Sequence, residues 1–209
     1  MRRCGLKAKV LSLCLSLFAT EGARSAILIE PAGPFLDFPL EGVTVAGEPT
    51  ISGIIVEDVR TPFRVEVDNE SLSGHVQNRV VRSGETGTLS FYWRVILSDV
   101  RQNQGDIIAF RLGGFQGMPL MDAGWRKDSP GLAAPYAIRY FGSSTGTINF
   151  LFDEGELSGH RSSRFFYLRT SAVAYDSSGV FDLLCGDSDC QSAVFSTFAP
   201  AQTPVPLAP

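Results

Sequence analysis

Between Thr88 and Leu97 the chain reads TLSFYWRVIL, which sets Leu89, Phe91, Trp93 and Val95 against Ser90, Tyr92, Arg94 and Ile96. Side chains alternate across an extended backbone, so this order calls for a strand with one buried face and one partly wet face. Arg164–Ala174 reads the same way, with Phe165, Tyr167 and Arg169 opposite Phe166, Leu168 and Thr170. Eight further segments rich in β-branched and aromatic residues follow the pattern: Ala26–Glu30, Gly53–Val59, Phe63–Val67, Val76–Val81, Asp106–Leu112, Tyr136–Phe141, Thr147–Phe152 and Ala193–Phe198. Clusters of Gly, Pro, Asn, Asp and Ser separate them. With 21 Gly and 12 Pro spread over 209 residues, and no sustained 3.6-residue periodicity, a helical bundle is excluded. The expected fold is all-β: a single antiparallel β-sandwich, jelly-roll-like or immunoglobulin-like, with little helix, over residues 26–199.

The N-terminus follows a different rule. Arg2, Arg3, Lys7 and Lys9 precede the short apolar run Val10–Ala19, and Ala23-Arg24-Ser25 supplies small residues where a signal peptidase reads. Residues 1–25 are therefore expected to be a signal peptide cut between Ser25 and Ala26, with Sec and twin-arginine export both open. Cys14 is not expected to carry a lipid, because the bulky Leu13 precedes it. Cleavage removes Arg2, Arg3, Lys7, Lys9 and Arg24 together with Glu21, which takes the formal charge from −4 to −8 and leaves Lys127 as the only lysine. Such a surface opposes nucleic acid and anionic lipid. No apolar run of the mature chain is long enough to cross a bilayer, so no membrane insertion is expected. Cys4 and Cys14 leave with the signal peptide, and Cys185 and Cys190 remain around the polar stretch Gly186-Asp187-Ser188-Asp189. In an exported protein that pair is expected to form a disulfide closing a turn. A zinc site would need four ligands, and no second cysteine pair survives.

The catalytic inventory is thin. Gly142-Ser143-Ser144-Thr145-Gly146 matches the G-x-S-x-G pattern of a nucleophile elbow, but an elbow needs a helix after the serine, and a strand-like segment follows here. A polar hairpin turn is the expected structure. His75 and His160, the only histidines, each end a Leu-Ser-Gly-His run expected to be a surface turn. The carboxylates of Asp153-Glu154-Gly155-Glu156 and Asp187-Ser188-Asp189 lack the ligand spacing of a calcium loop. No catalytic residue, metal site or cofactor is therefore expected. Trp125, placed in a polar loop Asp122–Gly131, and Tyr136 and Tyr140 are the candidate ligand-binding aromatics, while Trp93 alternates inward with Phe91.

The two Leu-Ser-Gly-His runs, and the echo of Thr86-Gly87-Thr88-Leu89-Ser90-Phe91 in Thr145-Gly146-Thr147-Ile148-Asn149-Phe150, occur in opposite orders in the two halves. That order argues against a tandem repeat and for similar turn chemistry.

After the last strand-like segment, residues 200–209 form a Pro/Ala-rich linker containing Thr203-Pro204-Val205-Pro206. Together with Val76–Ser83, Phe91–Arg94, Ile148–Phe152 and Ser163–Phe166, this end resembles the PEP-CTERM family of exported, exosortase-sorted Gram-negative proteins. Val205-Pro206-Leu207 stands where that family carries Pro-Glu-Pro, so the sorting signal is incomplete. The resemblance implies a secreted or periplasmic, non-enzymatic protein of the cell envelope or extracellular matrix, with exopolysaccharide as the expected partner. A carbohydrate-binding module is the first alternative and a secreted hydrolase the second.

Overall fold

The structure, a computed structural model, describes residues 24–67, 70–98, 105–117, 120–186 and 191–201. Thirteen strands run in chain order: β1 (Ala26–Ile27), β2 (Leu36–Pro39), β3 (Gly42–Val43), β4 (Ile54–Val67), β5 (Glu70–Arg82), β6 (Leu89–Leu97), β7 (Ile107–Gly113), β8 (Leu120–Arg126), β9 (Ala137–Tyr140), β10 (Ile148–Leu151), β11 (Phe166–Thr170), β12 (Tyr175–Cys185) and β13 (Phe195–Pro200). One short 3-10 turn covers Pro49–Ile51. The strands form two sheets. A seven-stranded sheet has the order β1-β8-β11-β6-β5-β4, with β3 lying parallel beside β8. The second sheet has six strands in the order β13-β12-β7-β10-β9-β2, all antiparallel. The expected antiparallel β-sandwich is what the chain forms.

The alternation read from the sequence sets the two faces of each strand. In β6, Leu89, Phe91, Trp93, Val95 and Leu97 join the main core, and in β11 Phe166 and Leu168 do the same. Facing them across the interior are Phe110 and Leu112 of β7, Ile138 and Tyr140 of β9, Phe150 of β10, and Phe181 and Leu183 of β12. Phe166 sits at the centre, its ring 4.6 Å from Phe150, 5.1 Å from Phe110 and 6.3 Å from Trp93. Rings at these separations add edge and offset contacts to the area they bury.

A second, smaller cluster lies on the far side of the seven-stranded sheet. Tyr92, Phe165 and Tyr167 point outward there, and residues 40–52 fold across them so that Val43 and Ile51 are buried against the rings. The Tyr92 hydroxyl donates to the Ile51 carbonyl at 2.5 Å. Burial holds the Tyr92 and Tyr167 phenols far above their ordinary range. One outer face of the sandwich is thus covered.

Several boundaries differ from the sequence expectation. Gly53–Val59 and Phe63–Val67 are one strand, β4, running through Pro62. Proline is tolerated because β4 is the edge of its sheet, where an N–H directed away from the partner strand needs no acceptor. Leu36–Pro39, Gly42–Val43, Leu120–Arg126 and Tyr175–Cys185 are strands that the pattern did not mark. Leu72–His75 lies inside β5 rather than in a turn, whereas Leu157–His160 precedes β11 in a turn region. The Thr-Gly-Thr echo does reflect shared turn chemistry. The Thr88 amide donates to Thr86 Oγ1, and the Thr147 amide to Thr145 Oγ1, just before β6 and β10.

A polar thread crosses the apolar interior. Trp93 Nε1 donates to Thr197 Oγ1 at 2.8 Å, Thr197 Oγ1 donates to Asn78 Oδ1 at 2.9 Å, and Asn78 Nδ2 donates to Thr61 Oγ1 at 3.1 Å. Thr197→Val keeps the shape and removes the hydroxyl, leaving a buried indole N–H and a buried amide oxygen without partners. The expected cost is about 1–3 kcal/mol in a denaturant titration, with Thr197→Ser losing clearly less.

Candidate functional site

Trp125 lies in strand β8, not in a loop, and alternates with the buried Ala123 toward the main core. Its ring rests against Gly42, where a Cβ would fall 2.3 Å from a ring carbon. The Arg164 guanidinium stands 5.7 Å from its centroid, and among the described residues the enclosed Trp125 Nε1 has no hydrogen-bond partner. Tyr140 faces the interior of the other sheet at 3% exposure, and its hydroxyl donates to Glu30 at 3.3 Å. Burial, followed by the Glu30 charge, pushes that phenol up to about 12. Only Tyr136 is well exposed, at 48%, just before β9. The three aromatics therefore occupy different sheets and surroundings rather than one stacking platform.

The Gly142–Gly146 segment joins β9 to β10 as a hairpin turn, so the strand-turn-helix of a nucleophile elbow is absent here. Ser144 is exposed at its tip, Thr145 Oγ1 donates to the Phe141 and Gly142 carbonyls at 3.1 Å, and the Ser143 amide donates to Glu30. His75 is exposed on β5 opposite Pro62 and Ile96, and His160 is exposed in its turn. Asp153–Glu156 is an exposed turn, while Asp187–Asp189 lies outside the described residues. Among the described residues no group of three or more His, Cys, Asp and Glu side chains is arranged to hold a metal. Cys185 is buried and disulfide-bonded; Cys190 lies outside the described residues.

The organised polar surface lies elsewhere, on the open outer face of the six-stranded sheet. Strand register puts five side chains in one row: Asp37 opposite Arg139, Arg139 opposite Asn149, Asn149 opposite Arg111, and Arg111 opposite Asp182. Strands about 4.8 Å apart make this row about 19 Å long. Its two ends are forked ion pairs. Arg111 Nε and Nη2 donate to the two oxygens of Asp182 at 2.6 and 2.7 Å, and Arg139 binds Asp37 in the same way at 2.7 and 2.8 Å. The bond to Arg139 holds the Asp37 carboxyl below its usual range, and the bond to Asp182 raises the Arg111 guanidinium. Gln191 Nε2 adds a further bond to Asp182 at 3.0 Å.

Asn149 occupies the middle of the row, and among the described residues its enclosed Oδ1 has no hydrogen-bond partner. Beside it runs a groove of about 320 Å³ walled by Phe141, Thr147, Val180 and Val194. Val180 and Val194 are exposed, and Phe141 packs on Phe35 at 5.7 Å with Arg139 stacked over Phe35 at 4.4 Å. The row carries two cations and two anions, so it offers planar donors and acceptors with no net charge. Such an array suits a ligand rich in hydroxyls better than an ion. Sequence reasoning missed it because its five residues come from five strands, and only register aligns them.

The hairpin account of Gly142–Gly146 is testable directly. Gly146 has φ +61°, and a Cβ there would lie 2.2 Å from the Gln116 nitrogen. Gly146→Ala is expected to destabilise by more than about 1 kcal/mol, whereas Ser144→Ala at the exposed tip should stay within about 0.5 kcal/mol of the parent by thermal or denaturant unfolding. No protein-family model, curated protein or solved structure matches this chain, so the reading of the site rests on its geometry.

Proposed function

We propose that the protein is a secreted, non-enzymatic component of a Gram-negative cell envelope or extracellular matrix, and that it contacts exopolysaccharide through the outer face of its six-stranded sheet. The observation that carries this reading is the row Asp37-Arg139-Asn149-Arg111-Asp182 with the apolar-walled groove that Arg111, Asn149 and Asp182 also line. In that groove Arg111, Asn149 and Asp182 stand where sugar hydroxyls meet them. Val180, Val194 and Phe141 offer the apolar surface against which the C–H face of a pyranose packs. Hydroxyls also bond to the forked Arg–Asp pairs without breaking them, because Asp182 Oδ1 and both Asp37 oxygens each hold one of these bonds and retain a free lone pair.

Export is supported by the order of basic, apolar and small residues at the N-terminus and by the disulfide at Cys185. The chain's resemblance to PEP-CTERM proteins points to the same compartment. Among the described residues no helix is long and apolar enough to cross a membrane. Nothing in the row is arranged as a nucleophile beside a base, which favours binding over turnover.

Affinity electrophoresis through gels containing neutral or acidic bacterial exopolysaccharides tests the proposal. Retardation is expected with at least one neutral polymer, should change little between 50 and 500 mM salt, and should weaken about tenfold or more in Asn149→Ala. Equal mobility in every polymer, or retardation that Asn149→Ala and Val180→Asp leave untouched, would overturn the assignment of this face.

A further inference from the structure

The covered outer face of the seven-stranded sheet holds a charge arrangement that the sandwich alone does not require. Asp122 of β8 and Glu48 both bind Arg169 of β11. Arg169 Nε lies 2.7 Å from Asp122 Oδ1, and Arg169 Nη2 lies 2.8 Å from Glu48 Oε1. The side chains are largely enclosed, at 6% exposure for Asp122, 18% for Glu48 and 21% for Arg169. Two carboxylates thus share one guanidinium, with Thr50 as its other contact. Burial, reinforced by the Glu48 charge, holds the Asp122 carboxyl above its usual range despite Arg169. The phenols of Tyr167 and Tyr92 and the Arg126 guanidinium are the other ionisable groups facing this cluster. Arg126 is held by Asp128 at 2.8 Å, so within Glu48, Asp122 and Arg169 the carboxylates outnumber the guanidinium by one.

Ser25 fills the gap. Its Oγ donates to Glu48 Oε2 at 2.8 Å and lies 2.7 Å from the Tyr167 hydroxyl. The next residue, Ala26, pairs with Ala123 of β8, Ile27 pairs with Asp122 itself, and Leu28 is buried in the main core. The Ala26 nitrogen is four bonds from the Ser25 Oγ, which puts it within about 5 Å of that atom. Ser25–Ala26 is also the bond at which the sequence expects the signal peptide to be cut.

We propose that signal-peptide cleavage delivers the new α-ammonium of Ala26 into this niche, where it becomes the second cation of the Glu48–Asp122–Arg169 cluster and completes the folded face. The inference rests on the export reading above. In the cleavage step water adds across the Ser25–Ala26 amide: Ser25 departs as a carboxylate, and the Ala26 nitrogen leaves as an amine that takes up a proton. The three donors of the ammonium replace the Ser25 hydroxyl toward Glu48 and Tyr167, and β1 pairing holds the terminus in place. Chain still attached to its leader keeps a neutral amide there, so the charge deficit persists until processing.

The experiment uses the full gene, exported and processed, with the product purified from the periplasm. N-terminal sequencing should return Ala26, and any other terminus, or unprocessed chain, would overturn the cleavage on which the inference rests. Reductive ¹³C-methylation then labels two amines alone, because Lys127 is the only lysine after residue 25. An α-amino group ordinarily titrates at about 7.7–8.0. By NMR, the labelled Ala26 amine is expected to titrate at least one unit above the same labelled amine in the unfolded chain, a tenfold shift in its protonation equilibrium, and Glu48→Gln should remove most of that shift. Because this folded-state value is raised, the stabilisation is complete below the unfolded value and fades as pH climbs through the folded one. An amine titrating in its ordinary range, or a raised value that Glu48→Gln leaves unchanged, would overturn the proposal while leaving export intact.

Discussion

The Trp93 indole N–H is buried in an otherwise apolar interior, and its need for an acceptor constrains how the two sheets meet. Hydrophobic packing is non-directional and would tolerate one sheet sliding over the other. The bond from Trp93 to Thr197, continued to Asn78 and Thr61, does not. It joins β6, β5 and β4 of one sheet to β13 of the other, so a slip breaks several buried hydrogen bonds at once. Around this thread the rings of Phe110, Phe115, Phe150 and Phe166 pack on Trp93 at centroid distances of 5.9–6.3 Å. The aromatic core supplies the bulk of the driving force, and the thread supplies the register.

That fixed packing leaves the two outer faces unlike one another. On the seven-stranded sheet, residues 40–52 cover Tyr92, Phe165 and Tyr167, and Arg169 is clamped between Asp122 and Glu48. On the six-stranded sheet the row from Asp37 to Asp182 is partly open, with Arg139 and Asp37 at 35% and 42% exposure and Asp182, bonded to Gln191, at 13%. A groove runs beside it, and among the described residues the one enclosed acceptor of the row is unmatched. The same alternation that sends Phe110, Leu112, Ile138 and Phe150 into the core sends Arg111, Arg139 and Asn149 outward. Core and polar row are two sides of the same strands.

Much of this was legible in the sequence, and the remainder was hidden for identifiable reasons. Strands β6 and β11 show clear alternation, and in β6 the inward residues Leu89, Phe91, Trp93 and Val95 are those the pattern set on one face. Strand β8 was hidden by Asp122 and Gly124, residues that disfavour strands in isolation. Pairing with Arg169 across β11 makes Asp122 tolerable there. That misplacement carried Trp125 into a supposed loop and made it a candidate binder. Strand β12 opens on Tyr-Asp-Ser-Ser-Gly, a turn-like run that pairs with β13 through a register shift between Asp176 and Gly179. The row on the open face left no local signal, since Asp37, Arg111, Arg139 and Asn149 are each an isolated polar position among apolar neighbours and Asp182 is one of several polar residues in β12.

Exchange of the Trp93 indole proton tests most directly whether the two sheets form one unit pinned at that side chain. In native-state hydrogen exchange followed by NMR, the Trp93 Nε1 proton should exchange only through global unfolding. Its opening free energy should then match the stability from denaturant titration and fall with denaturant at the same slope. A proton that exchanges orders of magnitude faster than global unfolding, with no denaturant dependence, would mean that the sheets part locally and that the thread through Thr197 does not hold them.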